Sequence, residues 1–260
     1  MVKDDINYGV FADSIYRSSL AQVPGGLFTP PIDHIDIGRG LTAEEKGNGK
    51  FGPMVPPFVD PALINTFLLY DYVFWYTEQV PSLGVAQLSL FTYMQNGGKV
   101  LFSTTFQNVV DPRAALRDFA PIDSVSSAPF TPRPAPGDTR VPANYKVYAD
   151  STDPSNLYPL LAFNPPPPTF HSVFMRPIYR RSDARYIYHL QPDTANSPPR
   201  YIGSPNVAVV DGQRTIVFIG LPLHLLNNTV VGNPQGVTAF FTKVFTEEFS
   251  PSQRVNRSRF

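Results

Sequence analysis

Apolar residues in the first 120 positions of the chain occur in two alternating patterns. Tyr72–Tyr76 and residues 99–104 are nearly continuous runs of β-forming residues, which is typical of strands buried on both faces of a parallel sheet. Residues 11–23 instead carry apolar side chains four positions apart, as at Tyr16 and Leu20, which predicts an amphipathic helix. The two patterns indicate strands that alternate with helices.

Residues with strong backbone preferences mark the ends of the predicted helices. Pro24-Gly25-Gly26 ends the first helix, and Asn96-Gly97-Gly98 ends a helix that begins after Ser82. Gly97 suits the left-handed conformation that closes many helices. Asp60-Pro61 combines an N-cap residue with a proline at the first helical position, so a short helix is predicted to begin there.

Shorter β-rich runs at residues 1–3 and 34–37 extend the alternation of strand and helix. Alternation at this spacing favours right-handed strand–helix–strand units. We therefore predict a single α/β domain over residues 1–260, built as a doubly wound, mostly parallel sheet with helices on both faces.

The second half of the chain has a different pattern. Residues 121–170 are rich in proline, including a run at 165–168, and predict an insertion with little regular structure. Strands are predicted at 173–178 and 184–190, followed by a hairpin turn at Asp211-Gly212. A final helix is predicted at residues 237–249 from its apolar spacing. The second half is thus expected to be β-rich.

Composition excludes several classes of site. Lys and Arg equal Asp and Glu in number, at 21 each, so the chain lacks the basic balance typical of nucleic-acid binding. There is no cysteine, which excludes disulfides, thiolate metal sites and thiol nucleophiles. The four histidines have no metal-ligand spacing, so neither a metal nor a cofactor is predicted. No apolar run is long enough to predict a membrane span.

Residues 69–105 resemble class I glutamine amidotransferase-like domains, including the trehalose-utilisation type. The segment LYDYVFWYTEQVPSLGVAQLSLFTYMQNGGKVLFSTTF follows their order of strand, Ser-capped helix, Gly-Gly and strand. The segment RTIVFIGLPLHLL is similar to their late strand and its proline-containing turn, and Asp4-Asp5 to the acidic pair that ends their first strand. The resemblance implies a flavodoxin-like fold.

The resemblance also implies where catalysis would take place. Catalytic members use a Cys after the Gly-Gly strand, helped by a His and a Glu after the late strand. Thr104, Leu221 and Leu223 stand at the matching positions of this chain. Because nucleophile, base and orienting acid are all replaced, we expect no amidotransferase activity.

Nearby hydroxyl groups leave a catalytic alternative open. Ser103 or Thr104 could act as a nucleophile with His224 as base, and Asp5 could complete a triad. The competing interpretation is that these small hydroxyl residues satisfy backbone groups at a strand end. The G-x-S-x-G pattern that forces a serine into an exposed turn is missing from their flanks.

A ligand site is predicted at the carboxyl ends of the strands, where ligands of doubly wound sheets bind. Four residues that follow the predicted strands would line it: Asp5, Thr77, Glu78 and Thr105. Trp75 lies inside a continuous apolar strand and is predicted to be core rather than a sugar-stacking platform. Four loop aromatics are better placed to stack on a carbohydrate: Phe51, Tyr145, Tyr148 and Tyr158.

The main hypothesis is a non-catalytic binding or structural module within a larger, surface-exposed multidomain protein. Its partner would be another protein or a neighbouring domain. Three alternatives stay open: a hydrolase that uses Thr104 or Ser103 with His224, a carbohydrate-binding module, and a filament or assembly subunit. The compartment is not identified, although an extracellular or cell-surface location would follow from the multidomain hypothesis.

Overall fold

The computed structural model describes residues 1–3, 9–28, 32–36, 61–77, 83–104, 119–128, 146–150, 158–163, 175–226 and 236–249. Within these ranges the chain forms four α-helices: α1 (Gly9–Ala21), α2 (Pro61–Phe67), α3 (Leu83–Gln95) and α4 (Gly236–Thr242), which continues as a π-helical segment (Lys243–Glu248). Short 3-10 turns follow α1 (Pro24–Gly26) and precede α4 (Leu223–Leu226).

The same ranges contain eleven strands. They are β1 (Val2–Lys3), β2 (Ile35–Asp36), β3 (Tyr72–Tyr76), β4 (Lys99–Ser103), β5 (Ile122–Val125), β6 (Lys146–Ala149), β7 (Leu161–Ala162), β8 (Ile178–Arg180), β9 (Ala184–Leu190), β10 (Asn206–Asp211) and β11 (Ile216–Ile219). Nine of them form one sheet in the order β2-β1-β3-β4-β11-β10-β9-β6-β7, and β5 pairs with β8 in a small second sheet.

The main sheet is half parallel and half antiparallel. Strands β2, β1, β3, β4 and β11 run parallel, with Phe74, Leu101 and Val217 in register across three of them. From β11 onward each neighbour is antiparallel, through β10, β9, β6 and β7. The strand β11 therefore joins two sheet types.

The predicted doubly wound, mostly parallel sheet is wrong. The fold is a mixed α/β structure dominated by one mixed sheet. The physical reason lies in the connections: β10 and β11 are joined by only a few residues, and a short link permits only antiparallel pairing. Strand–helix alternation predicts parallel strands correctly up to β4, and it no longer applies in the second half of the chain, where successive strands pair without an intervening helix.

The proline-rich stretch also contains more regular structure than its composition predicts. Strands β5, β6 and β7 lie within residues 121–170, and β6 and β7 extend the edge of the main sheet. Proline has no backbone N–H and cannot donate a hydrogen bond to a neighbouring strand, but the segments between prolines can still pair. The strand predicted at residues 173–178 lies instead at Ile178–Arg180.

Two hydrophobic clusters cover the two faces of the main sheet. On one face α1 and α4 pack on Phe74, Leu101 and Val217. On the other face α2, α3 and the small sheet pack on Trp75 and Phe102. Trp75 is fully buried and stacks on Phe102 with ring centroids 5.8 Å apart, which confirms that it belongs to the core.

The end of α3 has the geometry that Asn96-Gly97-Gly98 predicts. Gly97 has φ 83°, its amide donates to the Met94 carbonyl at 2.9 Å, and the Gly98 amide donates to the Tyr93 carbonyl at 3.1 Å. These two bonds form a Schellman cap. A Cβ on Gly98 would lie 2.2 Å from the Tyr93 ring, so the second glycine is required by packing.

Candidate functional site

The hydroxyl residues at the carboxyl ends of the parallel strands are buried. Ser103 ends β4, and its hydroxyl donates to the Leu221 carbonyl at 2.8 Å. The Thr104 amide donates to Ile219 and the Thr77 amide to Ser103, each at 3.0 Å. The two amide bonds complete the backbone pairing at the sheet end. The Ser103 hydroxyl bond agrees with the competing interpretation, in which a small hydroxyl residue satisfies a backbone group there.

His224 also faces the protein interior. The Tyr16 hydroxyl of α1 accepts the His224 amide at 3.0 Å and lies 3.0 Å from Nδ1 of the ring. Because the amide can only donate, the Tyr16 oxygen is its acceptor. Leu221 and Leu223, which the resemblance matches to a catalytic His and Glu, are fully buried. Among the described contacts, the hydroxyl that lies next to the His224 ring is thus that of Tyr16 and not that of Ser103.

The ligand site predicted at the strand ends is only partly covered by the described residues. Asp5, Glu78 and Thr105 lie outside them, as do Asp4 and Tyr145. Thr77 is described and buried. Tyr158, predicted as a loop aromatic, is also buried, and its hydroxyl donates to Glu248 at 2.7 Å. Tyr158 therefore offers no exposed platform for a sugar, whereas Tyr148 of β6 is 37% exposed and its ring stacks on His189 with centroids 6.2 Å apart. Phe51 lies outside the described residues.

A half-buried polar cluster lies between α1 and the segment before β2. Asp13 accepts the Arg17 guanidinium at 2.8 Å and lies 3.7 Å from Nε2 of His34. The Tyr76 hydroxyl is 3.2 Å from the same His34 nitrogen. These contacts link α1, the segment before β2 and β3. Over the described part of the chain no three His, Asp or Glu side chains come close enough to hold a metal ion.

A groove of about 340 Å³ opens at the opposite, amino-terminal edge of the parallel strands. Met1, Ile35 and Tyr72 line it from the starts of β1, β2 and β3. Helix α1 contributes Leu20, and the segment after α2 contributes Leu69. Its volume lies at the lower end of the range for ligand pockets in proteins, roughly 300–1,000 Å³.

Aromatic rings form the wall of this groove. Phe28, Tyr72 and Phe245 meet edge to face, with centroids 4.8 to 5.8 Å apart. Such contacts hold the rings in fixed positions. Phe245 comes from the π-helical end of α4, so the wall joins distant parts of the chain.

The rim of the groove is polar and acidic. Asp33 and Asp71 line it and are exposed. The Tyr70 hydroxyl donates to Asp33 at 2.8 Å, and this bond raises the pKa of Tyr70. The Met1 amine donates to the Asp33 carbonyl at 2.6 Å, and burial lowers the pKa of that amine to about 6.

Two leucines stand at the mouth of the groove. Leu27 is 39% exposed and Leu69 is 79% exposed. This groove was not predicted from the sequence, because ligands of doubly wound sheets are expected at the carboxyl ends of the strands. The sequence did contain one sign of the groove, the pair Leu68-Leu69 directly after α2. A second leucine beyond the end of a short helix cannot be part of the buried face of that helix.

Comparison with protein-family models finds none that matches the chain, and comparison with curated proteins finds no significantly similar sequence. The resemblance to class I glutamine amidotransferase-like domains therefore stays a prediction carried by sequence motifs. Among the described helices, none has the length and apolar character needed to cross a membrane.

Proposed function

We propose that this chain is a non-catalytic binding module. It would bind a polypeptide segment of a partner protein or neighbouring domain in the groove at the amino-terminal edge of the parallel strands. The observation that carries the proposal is the pair of exposed leucines beside an aromatic-walled groove. An apolar surface with a polar rim is typical of protein interaction sites.

The exposed leucines favour a polypeptide over a small molecule. A small ligand held in about 340 Å³ would fill the groove but leave much of Leu69 in water. A polypeptide that inserts one side chain and lies across the mouth would cover Leu27 and Leu69 as well. Central anchors surrounded by covering contacts are the usual arrangement of binding energy at interfaces.

The non-catalytic part of the proposal is supported by the strand ends on the other edge. Ser103 donates its hydroxyl to a main-chain carbonyl, and the His224 ring contacts Tyr16. Both residues are almost completely buried. A base and a nucleophile need to reach a substrate, and the described surroundings of these two groups favour a structural role.

Peptide display tests the proposal. A random heptapeptide library is selected on the wild-type chain and on Leu69→Asp, which places a charge at the groove mouth. Ile202→Asp is the matched control, because Ile202 is 93% exposed and does not line the groove. We expect peptides that bind the wild type and Ile202→Asp but not Leu69→Asp. A selection that yields no such groove-dependent peptides would contradict the proposal.

A further inference from the structure

We propose that the segment bound in the groove carries an aromatic or leucine anchor with a lysine or arginine within two residues of it, and that Asp33 and Asp71 pair with that basic side chain. This inference rests on the proposed function, because it names the chemistry of the partner that would occupy the same groove.

The apolar anchor follows from the groove wall. Phe28, Tyr72 and Phe245 present ring edges and faces, and Leu20 and Phe74 line the groove with them. The volume of about 340 Å³ is small for an extended ligand and suits one or two side chains. Large apolar side chains gain the most from leaving water in such a site.

The basic neighbour follows from charge complementarity at the rim. Asp33 and Asp71 are both exposed, and none of the described residues that line the groove is a lysine or an arginine. Carboxylates at the rim of an apolar site attract a cationic partner and disfavour an anionic one.

Arg17 and the Met1 amine do not neutralise this acidic rim. Arg17 donates to Asp13 at 2.8 Å and to the Ile32 carbonyl at 3.0 Å, so its guanidinium already has partners. The Met1 amine has a pKa of about 6, and an amine with that pKa is mostly uncharged at pH 7. Among the described residues that line the groove, carboxylates therefore outnumber cations.

The test uses the full chain and the peptides from the display selection. The probes are the most enriched groove-dependent peptide and a version with its basic residues changed to glutamine. Dissociation constants are measured by calorimetry at about 50 and 300 mM salt, where screening differs strongly. The variants are Asp33→Asn with Asp71→Asn, Asp71→Asn alone, and the exposed control Asp123→Asn, which does not line the groove.

We expect the enriched peptides to pair an aromatic residue or leucine with lysine or arginine. The double variant should weaken binding about five-fold or more, with a smaller loss for Asp71→Asn, because each exposed pair contributes up to about 1 kcal/mol. High salt should weaken wild-type binding, and Asp123→Asn should bind as the wild type does. If the double variant loses thermal stability through the Tyr70 contact, the single variant decides the question.

Failure of this inference can be distinguished from failure of the proposed function. Groove-dependent peptides without basic residues, or with an affinity that neither Asp71→Asn nor the glutamine peptide changes, would overturn this inference and leave the proposed function standing. A selection without any groove-dependent peptide would overturn both.

Discussion

The Tyr16 hydroxyl connects α1 to the turn after β11. It contacts both the amide and the ring of His224, and all of these atoms are buried. The Tyr16 ring also packs edge to face on Phe74, with centroids 4.8 Å apart. The residue therefore combines apolar packing with a polar contact on which a buried amide depends.

Removal of this hydroxyl should destabilise the protein. For Tyr16→Phe we expect the free energy of unfolding to fall by about 1–3 kcal/mol, since the buried His224 amide loses its acceptor. His224→Ala should cost a similar amount, and the double variant less than the sum because the two residues contact each other. Urea denaturation measures all three, with the half-buried His189→Ala as control. A His224→Ala variant with unchanged stability and a lost hydrolase activity would favour the catalytic alternative.

Two buried tyrosines make stability depend on alkaline pH. Burial raises the pKa of Tyr158 and of Tyr188 well above 10, and Glu248 raises that of Tyr158 further. In the unfolded chain these phenols lose their protons near pH 10, whereas in the folded chain they keep them. The contribution of these two phenols to the free energy of unfolding is therefore complete below pH 10 and is lost as the pH rises above 10.

We therefore expect the free energy of unfolding to fall above pH 10, by up to about 1.4 kcal/mol per pH unit for each of the two phenols. Tyr158→Phe removes one of the two groups and should give a shallower decline. Urea denaturation from pH 8.5 to 11 measures both slopes. Equal slopes for the wild type and the variant would show that Tyr158 does not contribute.

Among elements, the end of α4 is fixed to the antiparallel half of the sheet by one carboxylate. Glu248 is 3% exposed; Arg185 of β9 donates to it at 2.6 Å, and Tyr158 at 2.7 Å. Arg214, in the β10–β11 turn, lies 3.6 Å from the same side chain. A buried carboxylate with several donors ties three elements to one position.

Glu248→Gln should reduce the free energy of unfolding by about 3 kcal/mol, because removal of one partner leaves the other charge uncompensated. The lower end of the usual range applies because Arg185 is 30% exposed. Glu247→Gln is the matched control: Glu247 is 59% exposed and pairs with Lys243 at 2.6 Å, and such a pair contributes about 0.5 kcal/mol or less. Urea denaturation of the two variants should separate them clearly, and equal losses would count against the network.

On the scale of the whole molecule, the parallel and antiparallel halves share one core. Strand β11 pairs with β4 on one side and with β10 on the other. One hydrophobic cluster contains Leu101 of the parallel half and Ile187 of the antiparallel half. A shared core of this kind favours a single cooperative unfolding transition.

Equilibrium unfolding tests this expectation. Trp75 is the chain's one tryptophan and is buried in the parallel half, so its fluorescence reports on that half. Far-UV circular dichroism reports on all helices and strands. We expect the two urea transitions to coincide, as for a two-state domain. A fluorescence transition at a lower or higher urea midpoint would divide residues 1–260 into two units.

The elements that could be predicted from the sequence are those with local signals. The run Tyr72–Tyr76, the spacing in α1 and the Asn96-Gly97-Gly98 cap each depend on neighbouring residues, and the structure confirms all three. The bond from the Ser103 hydroxyl to a main-chain carbonyl was predictable for the same reason, since a small hydroxyl at a strand end usually satisfies nearby backbone groups. Strands β6 and β7 carried no such signal.

The sequence by itself determined where short buried strands and capped helices form, because these depend on side-chain pattern and backbone preference. The turn at Asp211-Gly212 predicted the hairpin of β10 and β11, and the structure confirms it. Only the tertiary structure decided that β11 also pairs in parallel with β4, since the pairing of strands distant in the chain depends on the path of the connections. It also decided the groove, whose wall joins Phe28, Tyr72 and Phe245. These residues are far apart in the chain and meet only because α4 packs against the sheet. A pattern of neighbouring residues cannot predict such a contact.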